Sequence, residues 1–258
     1  MKSPLNKYIS MFSILVICLH SGCLREELES KPDKALILPS TVADYQALLD
    51  NNNVMNSVNP WLGQVGSDDY YVLPARYNSV GQMERNAYIW EPDVYKDVPE
   101  SVGAVLDWFR SYVQVYYANV ALEGLAKLSE SESGIEYNTA KGSALFFRAH
   151  AYWWLAQEFC KPYNLTTAAS DLGLPLRIDP DPLALVGRSS LEETYDLIIN
   201  DLIEAESLLT NDKPTTTRPS KAAAQGMLAR VFLSMGDYDA ALSYADKYLS
   251  TNSTLLDY

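Results

Sequence analysis

Residues 222–249 read AAAQGMLARVFLSMGDYDAALSYADKYL. Leu228-Ala229 and Phe232 lead to Gly236, and Tyr238, Ala241 and Ala245 follow before the run ends in Tyr248-Leu249. Small residues at helical spacing let two helices approach closely while an aromatic ring fills the gap between them. The stretch therefore predicts a helical hairpin.

These spacings match a tetratricopeptide unit, although Ser253 stands about where the closing proline is usual. Working toward the N-terminus, the same plan repeats. Leu191, Tyr195, Ile198-Ile199, Leu202 and Leu208-Leu209 predict a helix over about 190–209, with Ser189 or Ser190 and Glu193 as a capping box. The run NTAKGSALFFRAHAYWWLAQEF predicts a helix over 138–159, stopping before Pro162. Leu106, Phe109, Val113, Tyr116, Val120 and Leu128 predict another over about 102–129. The pairs 102–129/138–159 and 190–209/220–234 make hairpins, so the expected fold is all-α with tetratricopeptide-like helix pairs. Phe146-Phe147, Trp153-Trp154 and Tyr116-Tyr117 are expected in its core. Arg148 and Arg230 are expected to hold structural hydrogen bonds or ion pairs.

Between Asn51 and Glu100 helical periodicity disappears amid Pro60, Gly63, Gly66, Pro74, Gly81, Pro92 and Pro99. The segment is nevertheless rich in Trp and Tyr, residues that disordered stretches lack. It reads as a long, ordered, irregular loop region. Before it, Ser40 or Thr41 caps a first helix through Leu48-Leu49.

The N-terminus reads as an export signal over residues 1–22. Lys2 and Lys7 supply positive charge, Ile9 to Leu19 an apolar run, and Ser21-Gly22 small residues before Cys23. The apolar run is short of the ~20 residues that span a bilayer. Such junctions end bacterial lipoprotein signals, so Cys23 is the expected lipidation site and 23–40 an acylated tether, leaving 41–258 as the folded domain. Removing Lys2 and Lys7 from the 20 Lys and Arg leaves 18 against 33 Asp and Glu, a net charge of −15. Phosphate backbones demand the opposite sign, which argues against nucleic acid as a partner. Of 3 cysteines, Cys18 leaves with the signal, Cys23 carries lipid and Cys160 has no partner, so no disulfide framework supports the fold.

Gly142-Ser-Ala144-Leu-Phe146-Phe147-Arg148-Ala149-His-Ala-Tyr152-Trp-Trp-Leu155, followed by Phe159-Cys-Lys-Pro162-Tyr163, resembles the signature helix of SusD/RagB-type nutrient-binding outer-membrane lipoproteins. Arg188-Ser-Ser-Leu-Glu192-Glu-Thr-Tyr195, Arg218-Pro-Ser-Lys221 and Leu228-Ala-Arg230-Val-Phe-Leu-Ser-Met-Gly236-Asp-Tyr238 extend the resemblance. Cys160 departs from it, standing where glycine is usual. The resemblance implies a lid over a SusC-like TonB-dependent transporter in the outer membrane, capturing a glycan or other nutrient at the cell surface. It also implies a C-terminal half that this chain lacks. Glu26-Glu27 and Glu29 after Cys23 resemble the surface-export signals of Bacteroides-type lipoproteins. The alternatives are a periplasm-facing scaffold lipoprotein for protein–protein contacts, or a non-functional truncated fragment.

No catalytic residue, metal site or cofactor is expected. His150 is the one histidine beyond the signal, and no Gly-rich phosphate loop or His/Cys cluster is present. Binding fits better, because sugars offer apolar faces to aromatic rings and hydroxyls to carboxylates and amides. The expected ligand residues are Trp61, Tyr71 and Trp90 for stacking, with Asp68, Asp69 and Asn78 as polar partners.

Overall fold

The computed structural model describes residues 38–57, 60–99, 106–128, 134–212 and 214–254. The export signal, Cys23 and the tether through residue 37 lie outside the described residues. The described residues hold ten helices: α1 (Val42–Leu49), α2 (Asn52–Met55), α3 (Leu62–Val65), α4 (Pro74–Ser79), α5 (Gln82–Tyr88), α6 (Leu106–Ala126), α7 (Ile135–Phe159), α8 (Leu191–Leu208), α9 (Lys221–Met235) and α10 (Tyr238–Leu249). No strand occurs among the described residues. An antiparallel bridge joins Leu172 and Ser190.

Local chemistry fixes the ends of these helices. Thr41 caps α1: its hydroxyl accepts from the Asp44 N–H at 3.2 Å, and the Asp44 carboxylate accepts from the Thr41 N–H at 3.0 Å. Of the two serines before α8, Ser190 is the cap, in a reciprocal pair with Glu193 at 3.1 and 2.8 Å. Each such cap satisfies backbone donors that a helix start leaves open. Gly236 ends α9 with φ 77°, a left-handed conformation in which a side chain is strained. The Asp237 N–H then reaches back to the Phe232 carbonyl at 3.0 Å, turning the chain into α10.

The long helices pack in sequence order, α6 on α7, α7 on α8, α8 on α9 and α9 on α10, while α1 lies across α6 and α7. Their shared core centres on Tyr152, Leu155, Leu174, Leu191, Ile198, Leu202 and Leu228, all fully buried. Burial of each such side chain is worth about 1.5–3 kcal/mol against exposure. A second cluster joins Tyr45 and Leu49 of α1 to Leu125 of α6 and Phe147 of α7. Gly124 lets α1 dock so closely, since a Cβ there would stand 2.0 Å from Cζ of Tyr45.

The region expected to be irregular contains four short helices, α2 to α5. Each runs for 4 to 7 residues between Pro and Gly breaks, too short for periodicity to reveal. Two expectations need correction. Tyr116 is 44 % exposed rather than buried, and Phe109 on the same helix is 66 % exposed. Arg230 forms no ion pair with an acid among the described residues; its guanidinium lies 5.6 Å above the Trp153 ring as a cation–π contact. Arg148 behaves as expected. Nε and Nη2 grip the two oxygens of Asp201 at 2.7 and 2.8 Å, and Nη1 donates to Asn119 at 2.9 Å.

Candidate functional site

The aromatic-rich segment 60–99 is tied to the helical scaffold through its own backbone. Asp107, buried at the start of α6, accepts from the N–H groups of Trp61 and Leu62 at 2.9 and 3.1 Å. Glu158, near the end of α7, accepts from Gly63 N–H at 3.1 Å. Two carboxylates thus hold the first turn of α3. Burial pushes the Glu158 carboxyl up to about 7, with the Asp107 charge adding to the rise and the Gly63 N–H opposing it. The Tyr95 hydroxyl is raised by burial first and then by these same two carboxylates.

Further along, buried Asn86 acts as a hub. Its amide donates to the carbonyls of Val94 and Lys96 at 3.0 and 2.8 Å, closing the 91–98 turn onto α5. Its Oδ1 accepts from Gln82 at 2.7 Å. Nothing in the sequence marks this asparagine among its neighbours, because its partners are backbone carbonyls whose positions follow only from the fold.

That clamp sets Trp90. Its backbone is left-handed, φ 58°, which is rare for a bulky residue. The indole N–H donates to the Gly66 carbonyl at 2.7 Å, yet the residue is 73 % exposed. The ring is therefore held by one edge with its surface open to water, and part of the cost of ordering a stacking platform is met before any ligand arrives. A backbone strain of this kind persists only where surrounding contacts over-determine it.

Beside α4 and α5 a cleft of about 170 Å³ is lined by Tyr70, Val72, Arg76, Tyr77, Glu84 and Tyr88, among others. Tyr88 stands between Tyr70 and Tyr77, with ring centroids 6.1 and 5.9 Å away. Its hydroxyl accepts from the Val72 N–H at 3.2 Å, and the Tyr70 hydroxyl donates to Val65 O at 2.7 Å.

None of the six expected ligand residues lines this cleft. Trp61 is half-buried at the start of α3. Asp68 and Asp69 are exposed on the turn after Gly66, where the Asp69 N–H meets the Ser67 hydroxyl at 3.3 Å. Tyr71 is 80 % exposed, and Asn78 is exposed on α4. Only Trp90, through Gly66, is joined to the turn that carries the two aspartates. A groove of about 530 Å³ lies elsewhere, between α1, the start of α7 and residues 210–218, over the Arg218–Asp50 ion pair.

His150 has a structural setting. Its Nε2 accepts from the Trp154 indole at 3.0 Å, and burial, with Arg230 adding, holds the imidazole down to about 4, so it is neutral at pH 7. No cluster of three or more metal-ligating side chains occurs among the described residues.

Known proteins resemble this chain in both sequence and fold. The model of the SusD-like family, described as starch-binding and associating with the outer membrane, matches residues 27–233. A SusD-like protein P2 from Formosa agariphila is 25 % identical over 256 residues, covering 98 % of this chain and 48 % of the relative. The crystal structure of a putative sugar binding protein from Bacteroides vulgatus superposes with a TM-score of 0.67 at 25 % identity, over 82 % of this chain and 46 % of that one. A SusD superfamily protein from Bacteroides thetaiotaomicron gives a TM-score of 0.63 at 23 % identity, over 84 % and 48 %. This chain spans about half the length of these relatives. With the family model matched over most of its residues and the same helical fold in the solved structures, the chain belongs to the SusD-like family.

Proposed function

We propose that this chain is a glycan-binding lipoprotein of the outer-membrane surface, anchored through Cys23, that passes its ligand to a SusC-like TonB-dependent transporter without chemical change. The observation that carries the binding reading is Trp90. An indole pinned by its N–H to Gly66, with its surface open, suits the apolar face of a pyranose ring. Asp68 and Asp69, on the turn that follows Gly66, supply acceptors for sugar hydroxyls. Tyr71 extends the exposed aromatic surface, and Trp61 and Asn78 complete the proposed set. The names of the relatives support a carbohydrate as the ligand class. Among the described residues no helix is long and apolar enough to cross a membrane.

Calorimetry or affinity electrophoresis of the full chain against a panel of soluble glycans tests the reading. Trp90→Ala is expected to weaken binding about tenfold, the worth of one good ring contact. Unchanged affinity in that variant removes Trp90 from the site.

A protein-scaffold reading draws on a different surface. Leu233, Tyr238 and Leu242, at 58, 71 and 62 % exposure, give the α9–α10 hairpin an open apolar face of the kind that engages another helix. Protease treatment of intact cells separates the two readings, since a periplasmic scaffold is protected and a surface receptor is cleaved.

A further inference from the structure

The exposed rings of α6 belong to a second aromatic surface, remote in sequence from Trp90. Phe109, Tyr112, Val113 and Tyr116 fall at i, i+3, i+4 and i+7, one stripe along the helix. Together with Trp108 they form one wall of a trough of about 460 Å³. The other wall comes from the segment between α7 and α8, through Pro175, Arg177, Pro182 and Val186.

This second wall is held from inside the protein. The Tyr112 hydroxyl donates to Pro175 O at 2.9 Å. The Tyr152 hydroxyl donates to Arg177 O at 2.8 Å and accepts from Arg177 N–H at 2.7 Å. Asn119 also donates to Arg177 O, at 2.9 Å, and is itself the acceptor for Arg148. The Asp201–Arg148–Asn119 network therefore runs through the core and ends on the trough. Outside, one guanidinium nitrogen of Arg177 donates to Asp181 O at 2.7 Å, which leaves its remaining donors without a protein partner among the described residues.

We propose that this trough is a second carbohydrate subsite, taking a neutral oligosaccharide whose sugar rings lie on Phe109 and Tyr116 and whose hydroxyls meet Arg177. It rests on the glycan-binding reading of the preceding subsection. Phe109 and Tyr116 are two helical turns apart, about 10 Å, so they serve two sugars of one chain with a further unit between them. Among the described residues Arg177 is the one charged side chain of the lining, where it supplies donors, and the net charge of −13 of the full sequence disfavours an anionic ligand. A fixed backbone and exposed rings again mean that little ordering remains when a ligand binds.

The test uses the full chain in calorimetry with neutral oligosaccharides of increasing length, comparing the parent, Phe109→Ala/Tyr116→Ala and Trp90→Ala. Both α6 positions are open to solvent, and circular dichroism verifies that the double variant stays folded. The expected result is a second binding event, or a length-dependent gain in affinity, that the α6 variant lowers about tenfold while Trp90→Ala leaves it in place. Unchanged binding of long oligosaccharides by the α6 variant overturns the subsite and leaves the Trp90 reading standing. Absence of glycan binding by the parent overturns both. A dimer in sedimentation that the α6 substitutions disperse also overturns the subsite, making the trough a contact between copies.

Discussion

Replacing Arg148 by methionine strands a carboxylate in the core, and the consequence can be worked from the geometry. The side chains of Arg148 and Asp201 are only 10 and 6 % exposed. Burial alone raises the Asp201 pKa, and the two N–H donors of Arg148 oppose that rise. Methionine removes both donors and the one on Asn119, leaving Asp201 buried without its counter-charge. Breaking a buried pair from one side costs about 3–5 kcal/mol. For a domain of this size that lowers Tm by roughly 10 °C. Removing both charges is a different perturbation, because no desolvated ion remains. Arg148→Met/Asp201→Leu is therefore expected to lose far less than the sum of the single changes, with a coupling energy of about 3 kcal/mol. Urea unfolding followed by circular dichroism measures all four proteins. Additive losses, or a single Arg148→Met cost under about 1 kcal/mol, refute the claim that the pair acts as a buried unit.

Three other outcomes follow from the same structure. Trp90→Ala is expected to cost under about 1 kcal/mol in urea unfolding, since its indole hydrogen bond to Gly66 is exposed, so its loss of glycan affinity is not explained by unfolding. Gly124→Ala places a Cβ against the Tyr45 ring and pushes α1 away from α6; overpacking of this kind costs about 1–3 kcal/mol, read as a lowered urea midpoint. Glu158 titrates at 4.5 when unfolded and at about 7 when folded, so the folded state holds more protons between those values. Its contribution is full below pH 4.5 and is lost as pH rises to about 7. Its partial contact with water limits the effect to about 1 kcal/mol. His150, held down to about 4, gives the opposite slope below 6.5. Comparing Glu158→Gln with the parent at pH 5 and pH 8 isolates the Glu158 share, and equal slopes in the two proteins exclude it.

Features whose cause is local were legible in the sequence, and those whose cause is tertiary were not. Ser190 and Glu193 lie three residues apart, and their capping pair depends on nothing beyond that turn. The small residues and Gly236 of the last hairpin likewise act on adjacent helices. Periodicity shows that a helix has an apolar face but not what covers it, which is why Tyr116 read as core and stands in solvent. Asn86 was invisible for a related reason, since its partners are carbonyls of a turn that exists only after folding. Trp90 falls between these cases: its residue type pointed to stacking, but its fixed orientation comes from Gly66 and a left-handed backbone. Arg148 shows how the two levels meet. A basic residue in a helix interior announces a buried partner, yet only the fold reveals that the network continues through Asn119 to the backbone of Arg177. The charge pair in the core therefore has a surface consequence. Arg148→Met is expected to loosen the wall of the α6 trough as well as the core, whereas the α6 ring substitutions leave core stability within about 0.5 kcal/mol. Loss of both stability and binding in Arg148→Met, and of binding alone in the α6 variant, is what a network that supports a surface site, and is not itself that site, must produce.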